Sequence, residues 1–209
     1  YVCDHCYLVQ LKEYFSPADI FTEYAYFSSF ATSWVNHAKL YCDEITEKLS
    51  LNSDSFVVEI ASNDGYLLQH FLPKGIPILG IEPAANVAQA AVAKGVPTRV
   101  DFFGSDLASR MVSDGKKADL IIGNNVLAQV PDLNDFVRGM QILLKPEGVI
   151  TLEFPHLTNL IEQNQFDTIY HEHFSYFSLL TIRYMAHRHH LKVIDVDELP
   201  THGGSLRVY

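Results

Sequence analysis

From residue 51 onward the chain repeats one pattern: a short apolar run, a turn of small residues, then a stretch with helical periodicity. Phe56–Ala61 is apolar except for Glu59, as a strand covered on both faces must be. Ile78–Ile81, Thr98–Val100, Leu120–Gly123 and Val149–Phe154 read as further strands. Tyr66–Phe71, Ala84–Lys94, Asp106–Val112, amphipathic Leu133–Leu144 and Leu179–His190 read as helices. Pro146-Glu147-Gly148 turns the chain into the fifth strand. Such alternation predicts an α/β fold with a doubly wound, mostly parallel sheet. Leu191–Asp197 and Ser205–Tyr209 are two more expected strands, around the turn Pro200-Thr201-His202-Gly203-Gly204. That connection is too short for a parallel crossover, so the pair is expected to form an antiparallel C-terminal edge hairpin.

Residues 1–50 differ. Asp19–Ser33 is rich in Tyr and Phe, and Ser33–Leu49 has helical spacing through Trp34, Ala38, Tyr41 and Ile45. The expected division is therefore 1–50, an N-terminal region with a linking helix, and 51–209, the α/β domain. Pro155–Ser178 is longer than an ordinary connection, which favours a functional loop. Of the 209 residues, 48 % are hydrophobic and 19 % charged, enough for a sizeable core. The net charge of −10 argues against a nucleic-acid surface but leaves room for an anionic small ligand in a local pocket. No apolar run is long enough to cross a bilayer and no secretory leader opens the chain, so a cytoplasmic protein without membrane contact is expected.

Cys3 and Cys6 form a Cys-x-x-Cys pair, which supplies half of a tetrahedral zinc site; the alternative is a chance pair of thiols. Cys42 stands alone and His5 lies inside the knuckle. Half of a zinc knuckle is the preferred reading, its partner pair lying upstream of Tyr1.

Val57-Val58-Glu59-Ile60-Ala61-Ser62-Asn63-Asp64-Gly65 occupies the first strand-to-helix turn, where doubly wound folds bind nucleotide-like ligands. Ala61, Asn63 and Gly65 suit a tight turn that needs positive φ. The segment departs from the dinucleotide fingerprint G-x-G-x-x-G. It resembles the E-x-G-x-G-x-G turn of S-adenosylmethionine (SAM) methyltransferases, with Ala61 and Asn63 in place of the first two glycines. Glu82, followed by Pro83, closes the second strand, where a carboxylate can accept both ribose hydroxyls. Asp101-Phe102-Phe103 follows the third strand, a place for an adenine ring, and Asn124-Asn125 closes the fourth beside an expected methionine moiety.

Tyr170-His171-Glu172-His173 groups a potential base, a carboxylate and a phenol inside an apolar frame. A metal hydrolase reading is weak, because His171-x-His173 lacks a third ligand at helical spacing.

Glu59–Leu68, Gly80–Val87, Asn124–Phe136, Glu153–His156, Gln165–Ser178 and Glu198–Tyr209 together resemble SAM-dependent C-methyltransferases acting on nucleotide-linked keto-deoxysugars, enzymes of antibiotic-sugar biosynthesis. The Tyr-His-Glu-His and Pro-Thr-His-Gly-Gly-Ser-Leu-Arg-Val segments carry the resemblance. It implies a Rossmann-like SAM fold, SAM as cofactor and a structural zinc in the full-length protein. It also implies a TDP-4-keto-deoxysugar as substrate, methylated on carbon beside the ketone. By the same resemblance this chain is a central piece, without the first Cys pair and without the family's C-terminal domain. His173 matches the general base, Tyr170 and Glu172 its pocket companions, and Tyr24 a tyrosine that reaches the substrate. Gln129 stands where the family carries a His; an amide donates a hydrogen bond but transfers no proton near neutral pH. Two alternatives remain: a methyltransferase on another small molecule, and a non-catalytic SAM-binding paralogue. A monomer is expected.

Other histidines are weaker candidates. His171 is expected to face away from its neighbours' target. His156 and His202 lie in loops near strand ends, and His187, His189 and His190 read as a solvated helix end. Arg207 is equally consistent with a phosphate contact and a salt bridge.

Overall fold

Seven strands lie side by side in one twisted sheet, and their order in space is not their order along the chain. The computed structural model describes residues 1–209. Its strands are β1 (Val9–Gln10), β2 (Val57–Ile60), β3 (Ile78–Ile81), β4 (Thr98–Arg99), β5 (Ala118–Asn124), β6 (Leu144–Pro155), β7 (Ser175–Tyr176), β8 (Val196–Leu199) and β9 (Ser205–Val208). Its helices are α1 (Pro17–Phe21), α2 (Thr32–Lys48), α3 (Ala85–Ala93), α4 (Ser105–Ser113), α5 (Leu133–Leu143), α6 (Leu157–Glu162) and α7 (Leu179–Arg188).

The main sheet runs β4-β3-β2-β5-β6-β9-β8. β2 is parallel to both β3 and β5, and β6 continues the parallel set beyond β5. β9 then inserts antiparallel between β6 and β8. The doubly wound expectation is met, with the antiparallel hairpin at the expected end. The order reverses between β2 and β5, which opens a crevice at the carboxyl ends of those strands.

Alternation of side chains sorts the core into two layers. Val58, Ile60 and Ile121 face one way, onto Leu107 and Met111 of α4, Phe136 and Met140 of α5 and Ile182 of α7. Val57, Leu120 and Ile122 face the other way, onto Tyr41 and Ile45 of α2, Phe71 of the segment after β2, and Ala91 of α3. The N-terminal helix α2 thus shares the second core layer with the strands. A separate two-stranded ribbon joins β1 to β7, placing Val9 opposite Tyr176. No helix is long and apolar enough to cross a membrane.

Three local expectations need correction. Tyr66–Phe71 forms no α-helix; the segment is two 3₁₀ turns, Leu68–His70 and Leu72–Lys74. Pro73 withholds an amide donor and Gly75, at φ 66°, stops the chain in the left-handed region, leaving too few residues to propagate a helix. α7 ends at Arg188, and the final strand pair starts at Val196. Between them His190 takes φ 58° and the Leu191 amide bonds back to the Ala186 carbonyl at 2.9 Å, a left-handed helix cap that uses up the start of the expected strand. Pro146–Gly148 lies within β6, whose pairing with β5 shifts register between Ala118 and Leu120.

Candidate active site

Behind β2 the chain passes through Ala61 (φ 56°), Asn63 (φ 49°) and Gly65 (φ 75°). At Gly65 a Cβ would also press on Val96 at 3.0 Å, so glycine there answers both conformation and space. Asn63 is spent on structure as well as conformation. Its Oδ1 accepts from the Ser28 amide at 2.8 Å and its Nδ2 donates to the Tyr26 carbonyl at 3.1 Å. Asn86 clasps the Tyr24 backbone from the start of α3, at 3.2 and 2.8 Å. Lys94 bridges Asp64 at 2.8 Å and donates to Ser29 at 3.0 Å. The aromatic segment Tyr24–Ser29 is thereby strapped along one lip of the crevice.

The crevice is a cleft of about 780 Å³, and most of the expected cofactor residues line it: Ala61, Asn63, Glu82, Pro83, Asp101, Phe102, Phe103, Asn124 and Asn125. Glu59 and Gly65 do not reach it. Glu59 is fully enclosed with an unpartnered Oε2, and burial, then the charges of Glu82 and Asp64, push its carboxyl well above the usual range. Glu82 is held by backbone amides, Oε2 by Asn63 N–H and Oε1 by Ala84 N–H, both at 2.9 Å. Each oxygen keeps lone-pair capacity for a ligand diol. Burial raises its pKa, against those two bonds. Asp101 shares its carboxylate with Arg99 (3.4 Å) and Arg110 (3.2 Å), so its side chain is partly committed to the surface. Phe103 packs edge-on against Phe136, while Phe102 is half exposed at the mouth.

Asn124 is buried with both amide atoms unpartnered, and the Asn125 Oδ1 is likewise free. The Tyr66 hydroxyl lies against Asn124, and the remaining amide capacity of Asn124 and Asn125 is open to a ligand. A diol acceptor at Glu82 and free amides at Asn124 and Asn125, with aromatic rings between Asp101 and Phe103, fit a nucleoside joined to an amino-acid end.

Across the cleft, the loop 156–178 delivers the second set. The Phe174 amide bonds the Ala128 carbonyl at 2.7 Å, and the β1–β7 pairing ties the loop to the N-terminal region. His173 Nδ1 lies 3.0 Å from the Thr168 carbonyl. A carbonyl only accepts, so Nδ1 carries the proton and Nε2 is the basic nitrogen. Nε2 meets the Tyr170 hydroxyl at 3.2 Å. Burial holds the His173 pKa below the usual imidazole value, opposed by the Thr168 carbonyl and the Glu172 charge. The Tyr24 hydroxyl, delivered by the strap, donates to Glu172 Oε2 at 3.4 Å. Burial, then the Glu172 charge, keeps both Tyr24 and Tyr170 protonated far above neutral pH. Gln129, from the 3₁₀ turn after β5, lines the same cleft and lies against Tyr24. All five expected chemical residues are brought together: four line the cleft and Glu172 joins them through Tyr24. His171 turns instead onto Phe15, ring centroids 5.9 Å apart.

A buried charge cluster beside the cleft decides between the two readings of Arg207, a phosphate contact and a salt bridge, and adds His37 and Glu153. Arg207 on β9 bridges Glu153 on β6 at 2.7 Å, and His37 on α2 lies 3.0 Å from the same carboxylate. Arg207 is therefore a salt-bridge residue. Trp34 stacks on His37 at 5.0 Å and also faces the cleft. The available signal was one acid in the run Val149–Phe154 and one base in Ser205–Val208, each the only charged residue of its run and each needing a partner once buried.

Cys3 and Cys6 sit in a tight knuckle in which Tyr7 N–H bonds the Cys3 carbonyl at 2.9 Å. No group of three or more metal-capable side chains comes together within residues 1–209, so the chain does not by itself assemble a four-ligand zinc site.

Known proteins agree with this architecture. The chain is 36 % identical over 208 residues to the C-methyltransferase NovU of Streptomyces niveus, a match covering 100 % of this chain and 50 % of that protein. It thus spans about half the length of that curated relative. Among solved structures, the magnesium protoporphyrin IX methyltransferase ChlM of Synechocystis PCC 6803 with bound SAM superposes with a TM-score of 0.60 at 14 % identity, over 84 % of this chain and 79 % of that one. A SAM-dependent methyltransferase from Archaeoglobus fulgidus gives 0.61 at 16 % identity, over 78 % and 71 %. Residues 34–196 match the family described as "Methyltransferase domain". With that match across most of its length, and with the sheet order and cleft described above, the chain belongs to the methyltransferase-domain family.

Proposed function

We propose that this chain is the SAM-binding, catalytic part of a C-methyltransferase acting on a TDP-linked 4-keto-deoxysugar. The observation that carries the reading is His173: a neutral imidazole, tautomer set by Thr168, with its basic Nε2 turned toward Tyr170 in the cleft that the cofactor residues line. O- and N-methylation need no base poised for a carbon acid. The 36 % identity to a C-methyltransferase points the same way.

SAM supplies an electrophilic methyl group when bound. Glu82 would take its ribose hydroxyls, Phe102 and Phe103 would flank its adenine, and Asn124 and Asn125 would bond its methionine end. A ketone acidifies the hydrogen on the neighbouring carbon, and His173 Nε2 accepts that proton. The Tyr24 and Tyr170 hydroxyls, kept protonated by burial, become donors for the oxygen on which negative charge develops once the substrate draws them from Glu172 and from His173 Nε2, which also frees Nε2 for the proton. Gln129 adds an amide donor there. The carbanionic carbon would take the methyl group that bound SAM supplies, the S–CH3 electron pair leaving with the neutral thioether. Residues 1–50 act as the region that straps the cleft and residues 51–209 as the SAM domain, and Cys3 and Cys6 supply two thiolates to a zinc completed elsewhere in the protein. The protein acts as a cytoplasmic monomer.

The test uses the full-length protein with SAM and a panel of TDP-4-keto-deoxysugars, followed by mass spectrometry of the products. One added methyl on the carbon beside the ketone, lost in His173→Ala, is the expected result. SAM binding without transfer to any keto-sugar overturns it and favours the reading that Gln129 motivates, a SAM-binding paralogue without turnover.

A further inference from the structure

The turn between β8 and β9 is more strained than a hairpin requires. His202 (φ 50°), Gly203 (φ 75°) and Gly204 (φ 112°) are three successive residues with positive φ. Glycine does this freely; histidine does so at a cost, and such strain persists where surrounding contacts over-determine it. Those contacts are present. Gln165 donates to the Gly203 carbonyl at 2.7 Å, the His156 amide bonds the Gly204 carbonyl at 3.0 Å, and Thr201 donates to Glu153 at 3.1 Å. A side chain on Gly203 would collide with Gln165, and one on Gly204 with Asn159.

All of these bonds fasten the residues around His202 and leave its ring nitrogens without a partner in the chain. The ring lies in the cleft, edge-on to Trp34 with centroids 5.0 Å apart. Trp34 is itself stacked on His37, whose Nε2 holds Glu153. The imidazole is thus braced from behind and open in front. His173 lines the same cleft near enough that a charge on His202 would disfavour one on His173. His202 is exposed overall, and partial desolvation of its ring against Trp34 holds its pKa below the usual imidazole value, with Glu153 opposing and His37 reinforcing.

A neutral imidazole offers one donor and one acceptor, which matches a hydroxyl group, itself both. It does not match a phosphate, and the nearby cation, Arg207, is already committed to Glu153. We propose that His202 is a specificity-determining residue of the acceptor site, hydrogen-bonding a hydroxyl on the sugar ring beside the carbon that His173 deprotonates. This assignment rests on the keto-sugar reading given above. The strained turn is the device that presents the ring, and the two glycines are what let the chain pass.

The test compares wild type, His202→Asn and His202→Gly in the full-length protein. Gly and Asn both tolerate the left-handed backbone, so the turn survives in each. The expected result is a loss of about tenfold in kcat/KM for the keto-sugar, carried mainly by KM, as removal of one hydrogen bond implies. The KM for SAM and the melting temperature stay unchanged, and added 4-methylimidazole restores part of the activity of His202→Gly. Wild-type transfer with acceptor KM unchanged in both variants overturns the assignment alone. So does a loss accompanied by a lower melting temperature and no imidazole rescue, which marks the ring as structural. A wild-type protein that methylates no keto-sugar overturns the proposed function first, and this assignment with it.

Discussion

Glu153 and Arg207 stand directly opposite each other on β6 and β9 and bridge at 2.7 Å, their side chains 0 % and 3 % exposed. The pair fastens the antiparallel hairpin to the parallel part of the sheet, and His37 and Thr201 complete the bonding of the carboxylate. Removing one partner leaves a buried charge without its counterion. Arg207→Met is expected to lower stability by about 3–5 kcal/mol, and a double replacement by apolar residues to recover much of that. Urea denaturation of the single and double variants measures both.

The same pair gives a pH dependence. Burial pushes the Glu153 pKa up, but the His37 bond and the Arg207 charge outweigh it and leave it lowered. A carboxyl lowered in the folded state stabilises above its unfolded pKa, and that stability is lost as pH falls through the folded one. The loss is therefore expected below the ordinary glutamate value of about 4.3. Glu153→Gln, less stable at neutral pH, is expected to lose less on acidification. Parallel slopes of the two proteins between neutral and acid pH would contradict this.

His173 as the base predicts an acid limb in kcat/KM for the keto-sugar. Burial lowers its pKa, so the limb is expected below the ordinary value of about 6.5, with a plateau through neutral pH. His173→Ala is expected to reduce kcat by about 10²–10⁴-fold. A pH–rate profile in the wild type and a single-turnover assay of the variant check the two.

Glu82 is set by the Asn63 and Ala84 amides before any ligand arrives. Losing charge-assisted bonds to a diol is expected to weaken SAM binding about 10–100-fold in Glu82→Ala. Calorimetric titration with SAM measures it, and the acceptor KM at saturating SAM should stay unchanged.

Gly139 lies where α5 crosses the start of α4. A Cβ there would approach the Gly104 backbone at 2.8 Å and Phe103 at 3.0 Å. Backbone does not yield as a side-chain tip does, so Gly139→Ala is expected to cost about 1–3 kcal/mol. Because Phe103 lines the cofactor end, SAM affinity should fall with it; chemical denaturation and SAM titration of one variant read both effects.

Much of the fold was legible from local pattern. The apolar run Phe56–Ala61, the amphipathic α5 and the strand-end residues Glu82 and Asn124 each read correctly, because burial on both faces or on one stripe leaves a periodic trace in the residues themselves. The Tyr66–Phe71 segment misled for the same reason: its apolar residues do not distinguish a helix from 3₁₀ turns set between Gly65 and Gly75, with Pro73 inside the second. Tyr170, Glu172 and His173, which the structure brings together at the cleft, belong to one short motif.

What the residues by themselves determined is an α/β sheet with a crevice at its switch point and a loop carrying an imidazole beyond it. Tertiary structure alone decided which distant residues meet. Tyr24 and Glu172 are 148 positions apart and His37 and Glu153 are 116 apart. Neither pairing has a local signature: the first depends on the clasp of Asn63 and Asn86 on the strap, the second on the packing of α2 beside β6. The same holds for the imidazole of His202, whose exposure to the cleft follows from a turn pinned by Gln165, His156 and Glu153, groups remote in the chain and adjacent only after β9 has inserted beside β6.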